Sequence, residues 1–258
     1  MSYALVTGAS KGIGKAIAHE LAKRRYNILL AARSSDLLQD VADEIQKGYN
    51  VKVFYLALDL GSPSAPQKLL DWCLDNKFDV SILVNNAGFG VSGRFDSNSM
   101  EENTSMLQLN VVVPTQLCQL FVPILTKNSP SYILNIISSA AYQAIPLLSI
   151  YSASKAYLLS FTRGLRHELK IAGISVTAVS PGPTDTNWIH RAQITGKALR
   201  VANKVNMQPS KVAFIAVKAM LSGKSEVITG IMNKAGAFFA WLLPKKLVEK
   251  TTSKLYEK

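Results

Sequence analysis

The stretch "VTGASKGIGKAIA", residues 6–18, decides how the rest of the chain is read. It follows the apolar run "YALVTG" (3–8) and opens a run with helical spacing, "KAIAHELAKRR" (15–25). Gly8, Gly12 and Gly14 let a backbone turn tightly and approach a pyrophosphate closely. Ser10, Lys11 and Ile13 fill the same turn. The helix that follows points free N–H groups and a positive dipole end at the same spot. A glycine-rich turn alone is a weak signal. Here a strand precedes it, a helix follows, and about 30 residues lead to the next strand, which is the context a dinucleotide-binding turn requires.

That next strand, "YNILLAA" (26–32), ends at Arg33, with Ser34 following. A site specific for NAD usually places Asp or Glu there, to bond the ribose 2′-hydroxyl. A guanidinium suits a 2′-phosphate instead, through charge and paired donors. Lys11 adds a second cation nearby, so NADP(H) is expected over NAD(H). The run "LALDL" (56–60) offers Asp59, beside Leu60, to bond an adenine amino group.

Further strand candidates follow at 52–58, 80–87, 131–139, 174–182 and 226–230. They are nearly continuous in Val, Ile, Leu and Ala, as in strands covered on both faces. Helix-like segments at 35–48 and 111–127 alternate with them. The pattern predicts an α/β fold: a Rossmann-type, doubly wound sheet of seven parallel strands with helices on both faces. No linker, repeat or low-complexity segment divides it, so 1–258 reads as one domain. The polar stretch 186–224 reads as a small helical substrate insert over the carboxyl ends of the strands, where such sheets bind ligands.

Composition narrows the function classes. At 258 residues and 48% hydrophobic, the chain can bury a sizeable core. No charged n-region precedes an apolar stretch, so no signal peptide is expected, and a cytoplasmic location is the default. Cys73 and Cys118 show no metal or disulfide pattern, and His19, His167 and His190 are scattered, so no metal site is expected. The net charge is +12. From Thr186 to Ser225 there is no acidic residue but seven basic ones: Arg191, Lys197, Arg200, Lys204, Lys211, Lys218 and Lys224. This is either a solvated basic face or an attraction for an anionic cofactor, substrate, carrier protein or lipid surface. No nucleic-acid-binding signature accompanies it.

The run "IYSASKAYLLSF" (150–161) places Tyr151 and Lys155 four positions apart. The spacing alone occurs on many helices by chance. What changes its weight is a set of motifs in order: "TGASKGIG" (7–14), "NNAG" (85–88), "LQLN" (107–110), "IISS" (136–139), "YSASK" (151–155) and "SPGPTDT" (180–186). By these the chain resembles the short-chain dehydrogenase/reductases, in their compact single-domain branch, over about residues 3–186.

The resemblance implies a role for each matching residue. Tyr151 would be the general acid/base and Lys155 the cation that lowers its pKa and bonds the nicotinamide ribose. A free tyrosine near pKa 10 is a poor acid/base at pH 7, so a close cation is chemically required. Ser138 would hold the substrate carbonyl, with Ser139 as its less favoured neighbour, and no G-x-S-x-G elbow surrounds them. Asn110 would support a water and the lysine in a proton relay. Asn85, Asn86, Ala87 and Gly88 would wall the cofactor ribose. Pro181, Gly182, Thr184 and Thr186 would fix the nicotinamide carboxamide. The pocket would be lined by Phe89, Ile145, Leu148 and Trp188, with Phe95, Leu147 and Met207 nearby.

These residues suggest an apolar carbonyl or alcohol substrate; the basic insert keeps an acyl-carrier or CoA-linked one in view. A non-catalytic dinucleotide sensor of the same fold is the alternative. A homodimer through the helices at 101–127 and 151–172 is the family habit, but the usual family C-terminus is absent, which leaves dimer and tetramer open. In its place stands a divergent extension, 231–258. Its cluster of Phe238, Phe239, Trp241, Leu242 and Leu243 has three readings: closing the pocket or core, meeting a subunit, or touching a membrane beside the lysines that follow.

Overall fold

The structure, a computed structural model, describes residues 2–185, 192 and 196–256. Its strands are β1 (Tyr3–Thr7), β2 (Asn27–Ala32), β3 (Val53–Ala57), β4 (Val80–Asn85), β5 (Ser131–Ile136), β6 (Ile174–Ser180) and β7 (Glu226–Ile228). They form one parallel sheet in the order β3-β2-β1-β4-β5-β6-β7. Every residue of β2 and β4 is buried, which is why these runs show no polar alternation. Most strands end short of the apolar runs that predict them. The remaining residues, among them Gly8, Asn86–Ala87, Ser138–Ser139 and Pro181–Gly182, have left the ladder and form the loops at its carboxyl edge.

Side chains alternate through the sheet into two core layers. On one face α1 (Gly12–Lys23) and α2 (Ser35–Gly48) bring Ile17, Leu21, Leu38 and Ile45 against Val6, Ile28 and Leu30. On the other, α3 (Ala65–Asp75) and α5 (Val113–Lys127) bring Leu69, Leu117 and Phe121 against Leu5, Leu29 and Leu83. In α2 the buried residues Leu38, Val41, Ala42 and Ile45 recur at three- and four-residue steps, so one stripe faces the sheet. Each fully buried Leu or Ile contributes about 1.5–3 kcal/mol.

α5 continues α4 (Met100–Leu107) through a π-helical turn at Gln108–Val112. The continuous helix is long and apolar enough to cross a membrane by length and composition. Its inner stripe, Leu117, Cys118, Phe121 and Leu125, covers the sheet instead. α6 (Ser149–Glu168) lies beside it.

The expected substrate insert at 186–224 is narrower than predicted. α7 (Gly196–Val205) borders the site, but α8 (Pro209–Leu221) packs on α1 and the sheet, with Val212, Ala213, Ala216, Val217 and Met220 buried. Lys211 and Lys218 lie on its outer face and give the stretch its polar composition. Below α7 the chain is pinned. Asp185 N donates to Met207 O at 2.9 Å and Met207 N to Pro183 O at 3.0 Å, beside a Thr184–Met207 bridge.

The C-terminal extension forms α9 (Ile231–Leu242) and α10 (Lys245–Tyr256). The aromatic cluster does not enter the core: Phe238, Phe239, Trp241, Leu242 and Leu243 are all exposed. The opposite face of α9, with Asn233, Gly236, Ala237 and Ala240, lines the cavity described next. The tail therefore does border the pocket, but not with its aromatic cluster.

Candidate functional site

A cavity of about 1100 Å³ opens at the carboxyl ends of the strands, where the chain order reverses between β1 and β4. Single small-molecule sites span about 300–1,000 Å³, so this one has room for two molecules. Its walls are the loops that follow the strands.

The β1 loop is closed on itself and on the β4 loop. Gly8 has φ +65°, and a Cβ there would lie 2.9 Å from Ala87 Cα. A Cβ on Gly14 would lie 2.3 Å from Gly8 O, so the helix start rests on the turn. Asn86 Nδ2 donates to Thr7 O at 2.9 Å and Gly8 O at 3.2 Å. Thr7 Oγ1 accepts from Asn86 N and Ala87 N at 3.0 and 3.2 Å and donates to Val84 O at 3.0 Å. No side chain caps α1 at Lys11 and its first turn holds no acid. Gly8, Ser10, Lys11, Gly12 and Ile13 face the cavity around that helix end. A backbone cradle that a Cβ would fill, facing an uncapped helix N-terminus, fits a pyrophosphate.

Arg33, Ser34 and Lys11 are exposed where the β2 and β1 loops border the cavity. Asp59 also borders it, one carboxylate oxygen accepting from Gly61 N at 3.0 Å. Leu60 borders the cavity too, buried and packed into the core beneath.

At the other end α6 brings Tyr151 and Lys155 to the cavity one turn apart, both buried. Lys155 Nζ donates to Ile136 O at 3.0 Å and lies 6.0 Å from the Tyr151 ring centroid. Burial pulls the lysine down to about 8. Ser138 ends the β5 run, and its Oγ accepts from Ala140 N at 3.1 Å. The hydroxyl faces the cavity with its own proton still to donate.

Asn110 sits in the π-helical turn, 1% exposed. Its Oδ1 accepts from Phe89 N at 3.1 Å, while Nδ2 donates to Phe89 O at 2.8 Å and Ser154 Oγ at 3.1 Å. The side chain thus pairs with the β4 loop as a strand would. Ser154 Oγ in turn donates to Tyr151 O at 2.7 Å, so the loop and α6 are held together. Gly88 makes this approach feasible: a Cβ there would lie 2.8 Å from Asn110 Oδ1 and 3.5 Å from Lys155 Nζ. Sequence reasoning gives Asn110 a place in a relay but not its grip on Phe89, which depends on the π turn.

Asn85 does not wall the cavity. Its Nδ2 donates to Asn135 Oδ1 at 2.9 Å, and Asn135 Nδ2 donates to Thr162 Oγ1 at 2.8 Å. This buried chain ties β4 and β5 to α6 and sets the helix against the sheet. Pro181, Gly182 and Thr184 do border the cavity. Pro181 O accepts from Ser139 N at 2.7 Å, and Thr184 Oγ1 donates to Gly182 O at 3.0 Å.

Around Tyr151 the cavity is apolar. Phe89, Met106, Ala140, Ile145, Leu148 and Ala198 form one cluster with it, joined by Val91, Leu109 and Leu255. Phe89, Ile145 and Leu148 are thus where the sequence puts them. Phe95 is not: it is 71% exposed and away from the cavity. Leu147 is also absent from the wall, and Met207 is held instead in the pin at Thr184. Thr186, Trp188, His190 and Arg191 lie outside the described residues. Asn233, Ala237, Thr252 and Leu255 were missed. The only signal for them was the departure of the tail from the family ending. Asn233 occupies the space a Cβ on Gly182 would need and donates to Thr229 O at 2.7 Å.

The sequence pattern described as short chain dehydrogenase matches residues 2–195. Very-long-chain 3-oxoacyl-CoA reductase-B of Danio rerio is 30% identical over 254 residues, 96% of this chain and 78% of its own length. The very-long-chain 3-oxoacyl-CoA reductase of Anas platyrhynchos is 36% identical over 184 residues, 70% of this chain and 59% of its own, so the match spans about three fifths of that relative. Among solved structures, a short-chain dehydrogenase from Sphingobium yanoikuyae in complex with NADPH aligns with a TM-score of 0.82 at 28% identity, over 94% of this chain and 93% of that one.

Proposed function

The chain belongs to the short-chain dehydrogenase family, and from that premise we propose that it reduces the carbonyl of an apolar substrate with NADPH, or runs the reverse oxidation, with Tyr151 as the proton-transferring group. The observation that carries this reading is the convergence of Ser138, Tyr151 and Lys155 on the cavity that also holds the glycine turn.

When bound, the nicotinamide dinucleotide supplies or accepts the hydride. The chain's residues do the rest. Gly8, Ser10, Gly12, Ile13 and Gly14 would hold the pyrophosphate. Arg33, Ser34 and Lys11 would hold a 2′-phosphate, and Asp59 the adenine. Asn86, Ala87, Gly88 and Lys155 would hold the ribose beside the nicotinamide, and Pro181, Gly182 and Thr184 its carboxamide. In reduction, Ser138 donates a hydrogen bond to the substrate oxygen and Tyr151 gives it a proton. Lys155, when charged, favours the tyrosinate left behind. Asn110 keeps the β4 loop and α6 in register for this transfer.

The apolar cluster around Tyr151 supports a lipophilic substrate. The names of the two curated relatives support a 3-oxoacyl thioester as the first class to test. The comparisons lend no support to a non-catalytic dinucleotide sensor.

The test is NADPH consumption against 3-oxoacyl thioesters, ketones and aldehydes of rising chain length, and steroids. Tyr151→Phe is expected to lower turnover by about 10²–10⁴-fold while NADPH binding survives. Full activity in that variant would refute the assignment.

A further inference from the structure

We propose that the C-terminal helices α9 and α10 dock the protein on an anionic phospholipid surface, the aromatic edge of α9 in the headgroup boundary and their lysines at the lipid phosphates.

Three observations support this. First, the outer side of α9 is apolar and uncovered: Trp241 is 73% exposed and Ile231 82%, with Phe238, Phe239 and Leu242 each more than half exposed, as is Leu247 of α10. The aromatic rings are preassembled, with Phe238 5.7 Å from Phe239 and 6.1 Å from Trp241 between centroids. Aromatic side chains with polar edges are those favoured at a membrane boundary.

Second, the charge beside this patch has one sign. Lys234, Lys245, Lys246, Lys250 and Lys254 stand against Glu249 within the described residues of α9 and α10, and all five lysines are exposed. The neighbouring α7, in contact with α10, adds exposed Lys197, Arg200 and Lys204. This charge chooses between occupants. A two-fold contact with a second copy would set lysine against lysine, with Glu249 alone to offset them. An anionic lipid surface attracts them all, at about 1 kcal/mol for each Lys or Arg near the surface, although Lys245 Nζ here donates to Ala240 O at 2.6 Å.

Third, the covered side of α9 is a wall of the cavity, through Asn233, Ala237 and Ala240. The docked face and the cavity mouth therefore belong to one helix, which would let a lipophilic substrate pass between bilayer and cavity. That last clause alone rests on the proposed reductase activity.

Flotation of the purified full chain with vesicles tests the docking without substrate or dinucleotide, so its outcome is separate from that of the activity. Vesicles of phosphatidylcholine with one third phosphatidylglycerol are compared with phosphatidylcholine alone. The chain is expected to float with the anionic vesicles, to stay behind with the neutral ones, and to be released by high salt. Phe238→Ser with Trp241→Ser, and separately Lys245→Glu with Lys246→Glu, should each weaken binding about tenfold or more. These side chains lie outside the cavity wall, so cofactor binding should be unchanged in both pairs. Trp241 fluorescence should shift to the blue on binding, and Trp241→Phe should lose that shift. Failure to float with anionic vesicles would overturn the proposal, as would equal flotation of both variant pairs. Sedimentation showing a dimer that the Phe238/Trp241 pair dissociates would also overturn it, by assigning the patch to a second copy.

Discussion

Lys155 is 5% exposed, its ammonium donates to a backbone carbonyl, and burial holds it down to about 8. Unfolded, a lysine titrates near 10.4. Between pH about 8 and about 10.4 the unfolded chain keeps a proton that the folded chain has released, so this residue makes stability rise with pH there. Cys73 and Cys118, pushed up to about 12 by burial, pull the other way. Comparing the protein with Lys155→Met isolates the lysine. Chemical denaturation at pH 7 should find the variant relatively stabilised, and the gap should shrink by roughly 3 kcal/mol by pH ~10.5. An unchanged gap would mean that the folded lysine is not perturbed. Arg33 carries a second prediction at this scale. Arg33→Asp should weaken NADPH binding about 10–100-fold, the worth of a charged hydrogen bond or two, and leave NADH nearly as before. Equal loss for both dinucleotides would remove the 2′-phosphate from Arg33. Both side chains could be placed at the cavity from the sequence because their positions are tied to sequence neighbours: Lys155 one turn from Tyr151, and Arg33 just after a strand. Asn110 was legible only as a motif letter, since its bonds to Phe89 cross 21 positions of chain.

The elements divide along a similar line. The parallel strands could be read because burial on both faces of β2 and β4 keeps them mostly apolar, with Asn27, Ser81 and Asn85 as the polar exceptions. The π turn at Gln108–Val112 could not, because its residues suit an ordinary helix and only the packed structure shows the extra residue. α8 was misassigned to the insert because Lys211 and Lys218 on its outer face conceal an apolar stripe of mostly alanine and valine. The aromatic tail was ambiguous because periodicity tells which residues share a face, not which face the protein covers. At this scale Gly88 is the informative position, since it lets α6 and the π turn meet the β4 loop. Gly88→Ala would press a methyl group to 2.8 Å from Asn110 Oδ1. It should lower kcat by about 10²-fold, as a 1 Å misplacement does, with the melting temperature little changed. Loss of folding instead of rate would show that the contact serves the core.

Across the whole molecule, the charge of +12 is the widest feature. Such a field draws a dinucleotide phosphate toward the cavity from a distance and is screened by salt. The association rate of NADPH, measured by stopped flow, should fall about tenfold or more from low to physiological-plus salt, with the dissociation rate moving less. A rate indifferent to salt would confine the charge to solubility.

The bonds that pin Pro183 and Asp185 to Met207 bring two distant points of the chain together at the cavity's edge. Between them, α7 packs against α10, and Ala198 joins the cluster around Tyr151. Lengthening a span with joined ends costs little, about 0.6 kcal/mol for each doubling, because closure entropy grows only with the logarithm of its length. The length of this interval can therefore change at little cost in closure entropy while the seven strands of the sheet, all outside it, stay as they are.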